Sequence, residues 1–553
     1  MEPRQEESSP VTSEGQMAPC TKHNKNKMKP IFQRSTKSIG KSSKVAGRTL
    51  SRNRALMPHS AYPPKDKFSY SVEKIEILKK YIHSVSMNLQ RVRFLEQLTF
   101  WVSNYNEKMT DMDLYYIGET LKKLVSLKSF SLRFANCSEI TDKGFYNLSQ
   151  GLKTLPLLRH FAFRFGFGPH ITDEGLNYLS HSLRRLTCLE AIKLDLLCCS
   201  RITELGISTL SANLKNLRKL KSLTLHFPIE AKMTGGGLLD LCESLEEFVC
   251  LQSFSLSFWR VRLTDAGLKR LGEVFSKLIC LKNLDLTLNP SSKITDSGLR
   301  ELFKGLEKLF CLQNLKIEIS SLAKIGNPGL LDFSKALRKL VCLKTLEIKF
   351  HGQRNLFTDE GLCQIGKGLE GLKSLERIHL ICSGWRQITD QGLETFSKGL
   401  EGLVLLKGIK IDLFSLEKIT DFGGQNFCQA LKNLPDLRIF GFRVVDCPQF
   451  TNTGLHMICQ VLKDIPSIQK FETYKFTLDG HPHILEFLKN SVSFPGSPGK
   501  MTEDLDEQKP KQDKENILRR FWIKFVCLMG IGLFILVHFL RNSQLMQSQN
   551  LEK

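Results

Sequence analysis

ITDEGLNYLSHSLRRLTCLEAIKLDLLCCSR is the stretch from Ile171 to Arg201, and its design recurs along most of the chain. It opens with an apolar-Thr-Asp-x-Gly tag, and related tags follow one another at intervals of 30 to 32 residues. They begin at Met109, Ile140, Ile171, Ile202, Met233, Leu263, Ile294, Ile325, Phe357, Ile388, Ile419 and Phe450. A period of about 20–50 residues is typical of solenoids, whose units pack only on their neighbours. The repeat therefore predicts an array of the kind that commonly serves as an interaction surface.

A ladder of apolar residues follows each tag. In the unit that starts at Ile171, the steps are three residues and then two, through Leu183, Leu186, Leu189, Ile192, Leu194 and Leu196. Steps of three belong to the end of a helix and the turn that follows it, and steps of two to a strand with alternating faces. Each unit is therefore predicted to be one helix, a turn, a short strand and a loop to the next tag.

The tag itself suits the start of a helix. Thr172 can cap backbone N–H groups of the first turn, and Asp173 places negative charge at the positive end of the helix dipole. We expect Gly175 to let the helix approach the neighbouring unit where a Cβ atom would clash. Leu176 and Leu179 continue the buried stripe.

The strand core Leu-x-x-Leu-x-Leu, preceded by a helix, resembles the leucine-rich repeat over residues 71–490, in about thirteen units with caps. The tag Ile-Thr-Asp-x-Gly-Leu is similar to the cysteine-containing subtype of F-box leucine-rich-repeat proteins, and the unit length is close to that of ribonuclease-inhibitor-like repeats. The resemblance implies an α/β horseshoe with a parallel sheet on the concave face and helices on the convex face. Ankyrin, tetratricopeptide and HEAT arrays have comparable periods but lack this strand alternation.

The chain also departs from the family pattern. The asparagine ladder after the strand is absent, and its place is taken by Gly166, Leu197 and Pro228 in successive units. Four tags are irregular: they contain Asp113 in place of Gly, Glu204 in place of Asp, Thr234 followed by three glycines, and Ile325-Gly326-Asn327-Pro328.

The regions outside the array have a different composition. The chain carries 79 Lys+Arg against 56 Asp+Glu, a net charge of +23, and thirteen basic residues but one acidic residue lie between Lys22 and Lys67. Residues 1–70 are therefore predicted to be a disordered basic arm. Such an arm can bind nucleic acid, an anionic lipid surface or an acidic protein, or serve as a solvated tail or localisation signal. Residues 491–518 are predicted to be a flexible linker.

Residues 519–541 are predicted to form one transmembrane helix, followed by a short tail at 542–553. The segment FWIKFVCLMGIGLFILVHFL, at 521–540, is long enough to span the roughly 30 Å of a bilayer core. A buried core helix is the alternative, but it would show a polar face. The predicted anchor residues are Phe521, Trp522, Phe525, Leu528, Ile531, Leu533, Ile535 and Leu540. The layout resembles that of a tail-anchored protein and predicts a single-pass membrane protein whose array faces the cytosol.

Five cysteines occupy one position of the repeat, before the third ladder leucine: Cys188, Cys250, Cys280, Cys311 and Cys342. The array contains no Cys-x-x-Cys pair, so the pattern does not predict a zinc site. We expect these thiols to be small buried hydrophobes in the reduced state. The sequence predicts no metal and no cofactor.

Residues between the ladder positions of the strands are predicted to form the concave face. The charged and histidine candidates are Arg164, Lys193, Asp195, His226, Asp285, Lys316, Glu318, Glu347, Lys349, His379, Lys410, Asp412 and Arg443. They form no catalytic set and no basic stripe with stacking aromatics, so neither an enzyme nor specific nucleic-acid binding is predicted. A mixed-charge face suits a folded protein partner, although a solvated face without a partner is the alternative.

Three functional classes follow from these patterns. The first is a non-enzymatic, membrane-tethered adaptor that presents the array to a cytosolic protein. The second is a substrate receptor of an SCF-type ubiquitin ligase, implied by the resemblance to F-box repeats, although residues 1–70 contain no recognisable F-box. The third is a regulator of a small GTPase, which needs a positioned arginine on a repeat loop, for which Arg201 and Arg260 are candidates.

Overall fold

The computed structural model describes residues 70–71, 75–76, 82–89, 94–102, 108–229, 236–261, 263–290, 294–322, 324–352 and 356–476. The helices of this part are α1 (Ile82–Leu89), α2 (Asp111–Leu121), α3 (Asp142–Leu152), α4 (Asp173–Leu183), α5 (Glu204–Leu214), α6 (Gly236–Leu245), α7 (Asp265–Phe275), α8 (Asp296–Leu306), α9 (Asn327–Leu337), α10 (Asp359–Leu369), α11 (Asp390–Lys398), α12 (Asp421–Ala430) and α13 (Asn452–Lys463). A 3-10 turn at Leu431–Asn433 follows α12.

The strands are β1 (Tyr70–Ser71), β2 (Ile75–Glu76), β3 (Leu95–Val102), β4 (Ser129–Asn136), β5 (His160–Phe167), β6 (Ala191–Asp195), β7 (Ser222–Ile229), β8 (Ser253–Val261), β9 (Asn283–Pro290), β10 (Asn314–Leu322), β11 (Thr345–Gly352), β12 (Arg377–Ser383), β13 (Gly408–Phe414), β14 (Ile439–Val445) and β15 (Lys470–Phe476). They form one sheet of fifteen strands, in which the short β1 and β2 both pair with β3 at successive positions along it, and each strand from β3 onward pairs with its successor. Every strand pairing within the described ranges is parallel, as in the register of Asp285 with Lys316. The predicted parallel α/β repeat solenoid is confirmed.

The apolar ladder forms the core between the helices and the sheet. Its residues from Leu183 to Leu196 are at most 1% exposed. Phe145 of α3 packs against Phe163 and Phe165 of β5, with ring centroids 5.2 and 5.3 Å apart. The helices therefore cover one side of the sheet, and residues between the ladder positions lie on its other side.

The tag caps each helix and also joins it to the next unit. Thr172 begins α4 as an N-cap, and its Oγ1 accepts a hydrogen bond from the backbone N–H of Glu174 at 3.2 Å. Asp142, at the start of α3, accepts from Thr172 N at 2.9 Å and from Thr172 Oγ1 at 2.6 Å. Each tag aspartate therefore acts on the following unit, a role beyond the predicted interaction with its own helix dipole. The same Asp–Thr pairing joins Asp111 to Thr141, Asp173 to Thr203, Asp265 to Thr295, Asp359 to Thr389, Asp390 to Thr420 and Asp421 to Thr451.

Two of the irregular tags keep an inter-unit contact with other atoms. Glu204 reaches the backbone N–H of Gly237 at 2.7 Å with its longer side chain. Asn327 accepts from Thr358 N at 3.2 Å and donates to Thr358 Oγ1 at 2.8 Å. The expectation for Gly175 is also met, because a Cβ atom there would lie 2.4 Å from Asp142 Oδ1. The inter-unit contact thus depends on a polar oxygen more than on one residue type.

The predicted terminal regions lie largely outside the described residues. These are the basic arm, of which only Tyr70 is described, the linker at 491–518, the membrane segment at 519–541 and the tail at 542–553. Among the helices that the structure does describe, none combines the length and apolar character needed to cross a bilayer. The membrane anchor therefore stays a prediction from the sequence.

Candidate protein-binding face of the sheet

The strand register places the thirteen candidate residues in two rows on the side of the sheet away from the helices, here called the sheet face. The first row contains Lys193, Asp285, Lys316, Glu347, His379 and Lys410. The second row contains Arg164, Asp195, His226, Glu318, Lys349, Asp412 and Arg443. Parallel strands lie about 4.8 Å apart, so side chains at matching positions of adjacent strands can pair directly.

Asp195 is the centre of the first charged cluster. Its Oδ2 lies 3.2 Å from Arg164 Nε and 3.8 Å from His226 Nδ1, and the carboxylate is buried. Burial raises the pKa of Asp195, but the contact with His226, the nearby guanidinium of Arg164 and the backbone N–H of Leu197 outweigh it, so the pKa is lowered overall. His226 Nε2 also lies 3.3 Å from Ser255 Oγ. The cluster is therefore an ionised acid whose charge is matched by its neighbours.

Opposite charges also pair at the middle of the sheet face. Lys316 Nζ lies 3.7 Å from Glu347 Oε1 in the first row, and Lys349 Nζ lies 3.0 Å from Glu318 Oε1 in the second. Glu318 is buried, and Lys349 is the cation paired with its carboxylate. Reversing the charge at Lys349 would leave a buried carboxylate without its cation, which is costly. These lysines are therefore partly structural.

The third cluster joins β12, β13 and β14. Asp412 Oδ2 lies 3.1 Å from His379 Nε2 and 3.6 Å from Arg443 Nη1. The two histidines, His226 and His379, belong to separate clusters on β7 and β12. Within the described ranges, no group of three or more His, Cys, Asp or Glu side chains could hold a metal ion.

A shallow cationic depression lies near the N-terminal end of the sheet face. Its volume is about 50 Å³, its floor includes Ala162, and its rim carries Arg133, Arg164 and Lys193. Arg133 pairs in register with Arg164, and Lys193 with Ala162, so the small alanine leaves space between three cations. Arg133 and Lys193 make no salt bridge with any described residue. This rim is therefore the part of the sheet face with cationic groups available to a partner.

Sequence reasoning missed Arg133. The signal was present, because Arg133 precedes Arg164 by one repeat of 31 residues and lies, like Arg164, between two ladder residues of its strand. Guanidinium groups bind carboxylates and phosphates with two parallel hydrogen bonds, so two adjacent arginines favour an acidic group.

The cysteine prediction is wrong for most of its members. Cys250, Cys280, Cys311 and Cys342 are exposed, and Cys188 is half-buried. The steps of three place Leu278 and Leu281 in the core, and the two residues between them form the outer tip of the turn. Other cysteines are buried at the ends of strands, among them Cys137, Cys199 and Cys447.

The two loop arginines proposed for a GTPase regulator differ in position. Arg201 lies in the loop before α5, where its backbone forms an isolated parallel β-bridge with Thr172. Arg260 lies within β8, so its expected place on a loop is wrong.

Comparisons with known proteins add little to this picture. No protein-family model matches the chain, and no curated protein matches it. Among solved structures, it is similar to one titled "Crystal structure of Rad7 and Elc1 complex in yeast", with 15% identity and a TM-score of 0.42. The match covers 68% of this chain and 86% of that chain. A likeness of this extent gives no support to a particular partner or activity.

Proposed function

We propose that this chain is a non-enzymatic interaction scaffold of the leucine-rich-repeat type, tethered to a membrane through residues 519–541, and that its sheet face binds a cytosolic protein. The observation that supports the binding site is the cationic depression formed by Arg133, Arg164 and Lys193. Elsewhere on the face many charges pair with one another, whereas Arg133 and Lys193 form no such pair with any residue that the structure describes. An acidic side chain or phosphate of the partner is the group that fits this rim.

Replacing Arg133 and Lys193 with glutamate is expected to weaken partner capture by about tenfold or more, because coupling energies of about 1.5–7 kcal/mol have been measured for close charge pairs across an interface. Neither substitution removes a cation from a buried acid, so the fold is expected to be retained. The measurement is proximity labelling in native cells with full-length chains, comparing the enrichment of each labelled protein between wild type and R133E/K193E.

The matched control is K269E/K367E, which makes the same change of charge on exposed helix positions. It is expected to label the same proteins as wild type. If both double variants lost the same labelled proteins equally, or if both retained them, the binding site would lie away from the depression.

The proposed tether is supported by the composition of residues 521–540. We expect the full chain to stay in the membrane pellet during alkaline carbonate extraction and a chain lacking 519–541 to be released. Protease added from the cytosolic side should reach the array of the full chain. Release of the full chain by carbonate would contradict the tether and leave the sheet-face experiment unaffected.

A further inference from the structure

A surface that the sheet-face proposal does not use lies at the edge of the solenoid where each helix is followed by a turn and the next strand. It is here called the turn edge. Each turn has two outer residues between two buried ladder residues. In four consecutive units, this pair is an exposed apolar residue followed by an exposed cysteine: Val249–Cys250, Ile279–Cys280, Phe310–Cys311 and Val341–Cys342. The four apolar side chains are 53 to 59% exposed.

Backbone hydrogen bonds hold these four turns side by side. Lys282 N donates to Gln252 O at 2.8 Å, Gln313 N to Lys282 O at 2.8 Å, and Lys344 N to Gln313 O at 2.7 Å. The tips therefore form one row instead of four scattered positions. Single exposed apolar residues are ordinary on protein surfaces, but a continuous row of them marks an interaction site.

Cations flank this apolar row. Lys282, Lys308 and Lys339 are exposed on the same turns and make no salt bridge with any described residue. The tags lie at the opposite edge of the solenoid. There the helices begin with aspartates that accept hydrogen bonds from the next unit. Basic residues at helix C-termini suit the helix dipole, but the dipole does not account for exposed Val, Ile and Phe between them.

We propose that the turn edge from Val249 to Lys344 binds the surface of an anionic lipid bilayer. Apolar side chains that insert into the headgroup region, combined with lysines that attract anionic lipids, are the features of interfacial membrane binding. The charge of the flanking lysines is complementary to this surface, and the hydrogen-bonded turns place all four exposed apolar residues along one edge. The proposal does not depend on the sheet-face partner, because it uses other residues at another edge.

The exposed tip cysteines provide the probe. The full-length chain is placed in nanodiscs of phosphatidylcholine, with or without phosphatidylserine, and treated with a membrane-impermeant maleimide. Each lysine near an anionic surface contributes about a five-fold gain in binding and the gains of several lysines multiply, so we expect labelling of Cys280 and Cys311 to be slower by at least about tenfold on the anionic discs. High salt should restore it. Cys198, exposed in the loop before α5 at the opposite edge, is the internal control and should react equally on both discs.

Two charge-reversal variants locate the effect. K282E/K308E/K339E should lose the protection, whereas K143E/K324E/K418E, with the same charge change at exposed positions of the opposite edge, should keep it. Burial raises the pKa of the Cys382 and Cys428 thiols, so these should stay unlabelled in every variant that is folded. Labelling of Cys382 or Cys428 would identify a misfolded variant. In that case the milder I279S/F310S variant, which changes only the apolar tips, is used in place of K282E/K308E/K339E.

Equal labelling of Cys280 on neutral and anionic discs would overturn the proposal, as would equal loss of protection in both triple variants. Protection by soluble polyglutamate without lipid, to the extent seen on anionic discs, would assign the edge to an acidic protein and also overturn it. A chain that fails to enter nanodiscs speaks against the anchor at 519–541. In that case the chain is added to vesicles of the same two compositions and labelled in the same way.

Discussion

Replacing Asp142 with alanine is expected to lower the free energy of unfolding by about 3 kcal/mol, because three inter-unit hydrogen bonds to a carboxylate are lost together. Asp142 accepts from Thr172 N at 2.9 Å, from Thr172 Oγ1 at 2.6 Å and from Gly175 N at 3.0 Å. The two N–H groups lie at the start of α4, where helix geometry provides no partner for them. The loss should appear as a lower urea midpoint and as faster hydrogen exchange in α3 and α4.

Two variants test whether the inter-unit contact is the cause. D142N should cost about 1 kcal/mol, since it loses the charge but keeps an acceptor, and Asn327 already makes the equivalent contact with Thr358. E174A removes a negative charge from the first turn of α4 without touching the Asp142 contact, and should cost less than about 1 kcal/mol. If E174A were as damaging as D142A, the helix dipole would explain the effect and the inter-unit contact would not.

Gly305→Ala is expected to destabilise the array by about 3 kcal/mol, because the added methyl group has no space. A Cβ atom at this position would lie 2.0 Å from the carbonyl oxygen of Gly272 and 2.6 Å from its Cα. These are backbone atoms of the adjacent helix α7, so α7 and α8 must move apart. The intrinsic preference of helices for alanine over glycine, about 1 kcal/mol, acts in the opposite direction and is smaller. Urea unfolding of G305A against wild type measures the net result.

Gly267→Ala is the matched control in the same pair of helices. The nearest atom to its Cβ would be the flexible Leu238 Cδ2 at 3.3 Å, and no backbone atom of another helix is close. We expect the free energy of unfolding of G267A to be within about 1 kcal/mol of wild type, because only the helix preference for alanine and a contact with a flexible side chain change. A stabilising G305A would show that the helices can separate at no cost, and it would contradict the close packing of α7 and α8.

The fold could be predicted because its signals are local and repeated. The ladder from Leu183 to Leu196 encodes helix, turn and strand within one unit, and the tag at Thr172 marks where the helix begins. The partner of each tag aspartate was missed because it lies in the following unit, 30 residues away. A pattern within one unit describes the capping of a helix but does not show which atoms of two units meet.

The candidate site was predicted less completely. Alternation along the strands identified the sheet-face positions, but it could not show that Glu318 is buried beneath Lys349, since that depends on the register of two strands. The cysteine error has a similar origin. Steps of three were interpreted as one continuous buried stripe, whereas Cys280 lies at the tip of a turn whose flanking leucines point inward.

The Asp–Thr pairing has a consequence for how the length of the array can change. Each unit whose tag contains both Thr and Asp offers an acceptor to the unit after it and a donor to the unit before it, so such a unit can be duplicated or lost without leaving an unmatched group. The unit that starts at Met233 differs, because Gly235 stands at the acceptor position of its tag and has no side-chain oxygen. Duplicating that unit would therefore add a junction without the Asp–Thr pairing, whereas duplicating the unit of Thr172 and Asp173 would add a matched one.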